Sequence, residues 1–292
     1  MKIAFCIHYM GTSYDELSEN IDQLIEYGDE VFAMINDDDL RDQMVISYAD
    51  EPSVHVSQIQ QKALPADLSL PRGQIIQLRN ALDAQINEHK QYDRFIVMSD
   101  GMLPLCTRRQ LVDYLDRHEG KDIYYVVNDS SKDSSIEQRF ENYAFFTNTI
   151  NFQTSKMIKG MNAMTSKIVH NFKQRKIDDI LVQSYPWFIL TPQSAKILAD
   201  EFAYCSNTFK MCLYPEELAI ATMLRKFSPV EHINEDIWVC GPTGNYKSCE
   251  PIEPLTQEAI DQKPHALFGT KIKSSENLSI YQNYFDQYAK ES

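Results

Sequence analysis

Tyr92-Asp-Arg-Phe-Ile-Val-Met-Ser-Asp-Gly-Met-Leu-Pro-Leu105 decides the fold class. Tyr92–Met98 reads as a buried strand, its last four residues continuously apolar as in a parallel strand with both faces covered, and it runs straight into the polar loop Ser99-Asp100-Gly101. Working outward, the same unit recurs. Lys2–His8 is a second continuous run; it ends in Gly11-Thr12-Ser13, and Leu17, Ile21, Leu24 and Ile25 follow at helical spacing. Ser13 with Glu16 three residues on marks a helix start, and Gly28 a helix stop. Glu30–Ile35 is the next strand. After a loop-like Val54–Pro71, Ile75, Leu78, Leu82 and Ile86 place a helix over Arg72–Glu88. Thr107 caps a helix over Arg108–His118, and Asp122–Val127 is a further strand. Strands alternating with helices predict an α/β fold with a mostly parallel central sheet flanked by helices.

The second half is more mixed. Ser134–Lys176 is polar and helical, with a basic excess (Arg139, Lys156, Lys159, Lys167, Lys173, Arg175, Lys176) that reads as a solvated helix face. Asp178–Leu190 is extended and aromatic, and Pro192–Phe202 is a helix with Ala195, Leu198, Ala199 and Phe202 inward. Asp236–Gly241 is a short strand, Gly244-Asn245 a turn and Leu255–Ile260 a helix.

Composition removes several function classes. The 292 residues suffice for a substantial core, and one domain over 1–292 is expected. With 28 basic and 42 acidic residues the net charge is −14, which repels phosphate backbones and anionic lipid and argues against nucleic acid as a partner. Cys6, Cys106, Cys205, Cys212, Cys240 and Cys249 form no C-x-x-C pair, so reduced thiols in a cytoplasm fit better than a zinc site or a disulfide scaffold. No apolar run approaches the ~20 residues a bilayer requires, and the first strand lacks a cleavage region. A soluble, cytoplasmic protein is expected, whose membrane contact would be peripheral, at the inner face. Neither G-x-G-x-x-G nor G-x-x-x-x-G-K-[ST] occurs.

Two acidic groups invite chemistry. In Tyr214-Pro-Glu-Glu-Leu-Ala-Ile-Ala-Thr-Met-Leu224, Glu216 and Glu217 stand at a helix start before a nearly uncharged face. Carboxylates there complement the helix dipole, or one of them is a general base at the mouth of a sugar-binding cleft. Asn36-Asp37-Asp38-Asp39 lies at a strand's carboxyl end, where open sheets place ligands. It is not a D-x-D motif, and a solvated turn is the commoner reading.

Four segments, in order, resemble the Core-2/I-branching family of β-1,6-N-acetylglucosaminyltransferase-related enzymes, in its short bacterial form. Tyr92–Leu105 is similar to the family's strand and Ser-Gly-x-Asp-Tyr-Pro-Leu loop. Ser184-Tyr-Pro-Trp187 with its following helix resembles Gly-Ser-x-Trp. Tyr214–Leu224 resembles the Pro-Asp-Glu segment, and Leu267-Phe-Gly-Thr-Lys271 the terminal Leu-Phe-Ala-Arg-Lys-Phe. The resemblance implies a GT-A type fold, with residues 1–130 a nucleotide-sugar-binding half and 131–292 an acceptor-binding and catalytic half. It implies inverting transfer from a UDP-sugar, by default UDP-N-acetylglucosamine, to a glycan or lipid-linked acceptor in surface polysaccharide synthesis, with no required metal or other cofactor.

Matched residue by residue, Glu217 is the base, Glu216 caps the helix on the acceptor side, and Lys271 stabilises the leaving diphosphate. His8, Asp38, Arg72 and Asp100 fall on the donor side; Trp238 and Arg139 match acceptor contacts. The family's second basic residue has no counterpart at Pro251–Thr256, where Glu253 falls instead. Lys247 or Lys273 is the nearest substitute, and Asp37 or Asp38 would be the candidates should a divalent ion contribute. The loop Asp is Met102 here, and Trp-Gly-Gly is reduced to Arg72-Gly73. An isolated His beside a strand is more often a loop anchor than a ligand, and core packing suits Trp187. A binding protein that kept the fold without turnover is the alternative; a metal-dependent hydrolase using residues 36–39 lacks clustered His ligands.

Overall fold

The computed structural model describes residues 1–27, 29–59, 61–149, 152–247 and 252–272; Gly28, Cys249, Pro251 and Lys273 lie outside them. Among the described residues a seven-stranded sheet has the order β10-β6-β9-β4-β1-β2-β3. Its strands are β1 (Ile3–Tyr9), β2 (Glu30–Ile35), β3 (Val54–Val56), β4 (Arg94–Ser99), β6 (Asp122–Ile123), β9 (Phe188–Leu190) and β10 (His232–Ile233). β1 pairs in parallel with β2 and β4, β2 with β3, and β10 with β6. Only β9 runs antiparallel, inserted between β4 and β6. The fold is thus α/β, with a mostly parallel sheet.

Every residue of β1 and β2 is buried, as their unbroken apolar runs require. The helices are α1 (Tyr14–Glu26), α2 (Asp38–Ser47), α3 (Ser69–Asn87), α4 (Arg108–Arg117), α5 (Ser134–Glu141), α6 (Lys156–His170), α7 (Pro192–Asp200), α8 (Phe202–Thr208), α9 (Ala219–Phe227) and α10 (Gln257–Gln262), of which α1, α2, α3 and α7 pack on the strands of the main sheet. α4 starts on a full capping box between Thr107 and Gln110. Two smaller sheets sit beside the main one. β12 (Phe268–Thr270) lies between β11 (Trp238–Cys240) and β5 (Leu103–Pro104), and β7 (Val126–Asp129) pairs with β8 (Val182–Ser184).

Three local expectations change. The acidic stretch after β2 is not a loop: Asp37 caps α2 by accepting the Leu40 N–H at 2.9 Å, and Asp38 and Asp39 fill its first turn. The strand expected over Asp122–Val127 divides into β6 and β7, which belong to different sheets. Phe202 begins α8 instead of facing inward from α7, and its ring takes the guanidinium groups of Arg72 and Arg79 at 5.4 and 5.5 Å.

Candidate active site

In open α/β sheets ligands bind beyond the carboxyl ends of the strands, where neighbouring connections leave in opposite directions. β1 is that place here: its chain continues outward to β2 and β3, while β4 lies on its other side. A cavity of about 300 Å³ opens there, lined among others by Gly11, Asp100, Trp187, Glu216, Tyr246 and Lys271. All four segments that carry the resemblance contribute to its wall, through Asp100, Trp187, Glu216 and Lys271.

The contacts between these segments are specific. The Lys271 ammonium stands 3.4 Å from a carboxylate oxygen of buried Asp100, 171 residues away in sequence, and the other oxygen accepts the Thr12 hydroxyl. Gly101 makes the approach feasible. Its φ of +69° favours glycine, and a Cβ there would lie 2.9 Å from the Lys271 side chain and 3.3 Å from the Ile272 carbonyl. Antiparallel pairing of β12 with β5 brings the two loops together. On the other side of the Asp100 loop, the Trp187 indole N–H donates to the Ser99 hydroxyl at 3.0 Å.

Tyr214 takes a left-handed conformation (φ 52°) and leads into a short 3-10 helix, Pro215–Glu217, which precedes α9. The two carboxylates of that turn meet different surroundings. Glu216 lines the cavity. One of its oxygens accepts the Ala66 N–H at 2.9 Å, and the other is buried without a hydrogen-bond partner. Burial, with the adjacent Glu217 carboxylate adding to it, pushes the Glu216 carboxyl up to about 8. A carboxyl held protonated near neutral pH can donate a proton from its unpartnered oxygen.

Glu217 does not line this cavity. Its Oε2 accepts from an Arg139 guanidinium N–H at 2.6 Å and from the Gln183 amide at 3.0 Å. Both donors converge on Oε2, so Oε1 keeps its lone pairs for another proton. Arg139 itself has two further buried N–H groups, on Nε and Nη2, without acceptors. With Tyr214 it lines a second cavity, about 580 Å³, to which α6 contributes Lys159, Lys167 and His170.

His8 is the last residue but one of β1 and is buried. Its Nε2 meets the Asn36 side-chain oxygen at 3.1 Å, and that oxygen also accepts the Ala63 N–H at 2.8 Å. Burial lowers the imidazole to about 4, so it is neutral at ordinary pH. Its ring lies against Gly73, where a Cβ would come within 2.6 Å. His8 therefore anchors the loop that carries Ala63 and Ala66.

The remaining expected site residues lie elsewhere. Asp38 pairs with Arg41 at 2.8 Å and Lys62 at 3.4 Å. Arg72 stacks on Phe202, outside the cavity. Lys247 lines a separate cleft with Gly241 and Glu253. Trp238 is 0% exposed, and its ring packs at 6.3 Å against Trp187, so its face is closed to a ligand in this structure. Thr12, Gln183 and Tyr246 went unread in the sequence, while Asn36 was read only as the head of the acidic stretch after the second strand. Only Thr12, in the turn after the first strand, carried a local signal.

Among the described residues, Glu30, His55 and Glu88 bring three metal-type ligand atoms together. The ammonium groups of Lys2 and Lys90 sit 2.6 and 2.9 Å from Glu30, so this cluster is already neutralised by cations, and it opens β2 at its amino end, away from the cavity. The five described cysteines are all buried and unpaired. No helix of the described residues is long and apolar enough to cross a membrane.

No family model matches the chain, and no curated protein matches it. Solved structures similar to it include UDP-glucose phosphorylase from Trypanosoma brucei, at 10% identity and a TM-score of 0.36 over 80% of this chain. A point mutant of UDP-glucose pyrophosphorylase from Leishmania major is similar at 8% identity and a TM-score of 0.35, also over 80% of this chain. The chain spans about 60% of the length of these structures.

Proposed function

We propose that the protein is an inverting glycosyltransferase of GT-A type, moving a sugar from a UDP-sugar to a hydroxyl of a glycan or lipid-linked acceptor. One observation carries the reading: Asp100, Lys271 and the Glu216–Glu217 turn, taken from three separated segments that resemble one enzyme family, converge at the carboxyl edge of a parallel sheet. Lys271 supplies positive charge where a diphosphate would leave. The acceptor hydroxyl gives its proton to Oε1 of Glu217 while its oxygen bonds to the anomeric carbon. The bond from that carbon to the diphosphate oxygen breaks, and its electron pair leaves with UDP. A single displacement inverts the configuration. Arg139 and Gln183 hold Oε2 and so aim the carboxylate.

A second reading gives the proton-transfer role to Glu216, because it is Glu216 that lines the cavity with an unpartnered oxygen. Turnover and donor hydrolysis measured over a panel of UDP-sugars, with and without EDTA, test the proposal. Glu217→Gln is expected to lower transfer by about 10²–10⁴-fold with UDP binding retained. Wild-type transfer by folded Glu217→Gln, with loss in Glu216→Gln, would move the proton-transfer role to Glu216. UDP binding without turnover of any donor would leave a binding protein, and activity restored only by added metal would end the metal-free reading.

A further inference from the structure

We propose that α6 docks the protein onto an anionic lipid surface. Met157, Met161, Met164 and Ile168 follow one another at steps of four, three and four residues, which sets them on one stripe of the helix. All four are exposed, by 72%, 48%, 68% and 50%, and Phe172, just beyond the helix end, is 86% exposed. Single exposed hydrophobic residues are ordinary, but four on one helix stripe with a fifth just past its end are not. The opposite side of α6 faces the protein, where Asn162 is buried and lines the second cavity.

Charge identifies the occupant. The chain carries 42 acidic residues and a net charge of −14, yet between Glu141 and Asp178 it contains no Asp or Glu at all. That stretch holds Lys156, Lys167, Lys173 and Lys176, and each is exposed. No carboxylate among the described residues pairs with Lys156, Lys167 or Lys176. Arg175 plays no part, since it donates to the backbone carbonyls of Lys210 and Asn142. The net charge of −14 opposes approach to an anionic surface, and the acid-free, lysine-bearing stretch around α6 carries the opposite sign, so charge favours this side as the one that approaches. A bilayer with acidic headgroups offers an apolar layer for the stripe and anions for the flanking lysines, whose stems are long enough to reach them. Docked in this way, α6 would set Arg139, and through it Glu217, on the lipid side of the molecule. The inference goes beyond the transfer reading and stands without it, because lipid binding is measured with no turnover.

Co-sedimentation of the whole protein with vesicles tests it, using phosphatidylcholine alone and an equal mixture with phosphatidylglycerol. Binding is expected to the mixed vesicles, weakly or not at all to the neutral ones, and to decline as salt is raised. Met161→Asp with Met164→Asp, and separately Lys156→Glu with Lys176→Glu, should each weaken binding at least about tenfold. These side chains are exposed, so unchanged circular dichroism and thermal unfolding should accompany the loss. Absence of binding, equal binding to both vesicle types, or variants that bind as well as the parent would overturn the proposal. So would a dimer in sedimentation velocity that the Met variants dissociate, with no vesicle binding, which would make the stripe a self-association face.

Discussion

Replacing Glu216 by Gln should change the pH dependence of stability in a way that follows from the buried oxygen. In the unfolded chain this carboxyl has an ordinary value of 4.5; in the folded protein burial raises it to about 8. Between these values the folded state holds a proton that the unfolded state has released, so stability falls as pH rises from about 4.5 to about 8 and levels beyond. The full shift corresponds to a ceiling of about 5 kcal/mol. Gln cannot ionise, and its amide oxygen can still accept the Ala66 N–H. The variant should therefore match the parent near pH 5 and exceed it increasingly toward pH 8, by several kcal/mol at most. His8 acts in the opposite sense: its value is lowered to about 4, so its contribution is lost as pH falls from about 6.5 to about 4. Subtracting parent from variant cancels His8, which both share. Urea unfolding at a series of pH values from 5 to 9 reads the difference. A difference that stays flat across that range would show that Glu216 ionises in the folded protein as an exposed carboxyl does, and the reasoning would fail.

Further outcomes are expected. Gly101→Ala should cost about 1–3 kcal/mol in chemical unfolding, because alanine must adopt φ +69° and its Cβ meets Lys271. Arg139→Met strands Glu217, which is only 7% exposed, with Gln183 alone, and should destabilise by about 3–5 kcal/mol; adding Glu217→Gln should recover most of that loss in a double-mutant cycle. Lys271→Met should weaken UDP binding by calorimetry at least about tenfold, since it removes the cation nearest the Asp100 loop. The His8 imidazole should titrate by NMR near pH 4, well below an exposed histidine.

The sequence was most legible where one physical cause acted alone. β2 fell on Glu30–Ile35 because burial of both faces leaves a continuous apolar run with sharp ends. α2 was unreadable for the converse reason. Only Arg41 and Met44 are buried along it, so it has almost no apolar period, and the aspartates that open it look like a turn when they are a cap and a first turn. β3 has three residues, too few for alternation to show. At the site, the Tyr214–Leu224 and Leu267–Lys271 segments were visible as likenesses, but the Lys271–Asp100 contact spans 171 positions and depends on how β12 meets β5. Gln183 bonds Glu217 from the middle of β8, and nothing in its neighbourhood marks it.

The split between the two acidic neighbours has a geometric origin. Successive side chains on a 3-10 turn point roughly 120° apart. Two adjacent glutamates on Pro215–Glu217 cannot both face one cavity, and the left-handed Tyr214 ahead of them fixes which one does. Glu216 is turned toward Ala66 and the Lys271 cavity, where burial favours the neutral acid. Glu217 is turned toward Arg139, which also borders the second cavity. A donor in the first space and an acceptor in the second would then be separated by this one turn, and a proton-accepting group placed there needs no movement of the helix behind it. The turn, more than either residue type, is what would make a pair of carboxylates serve two different ends.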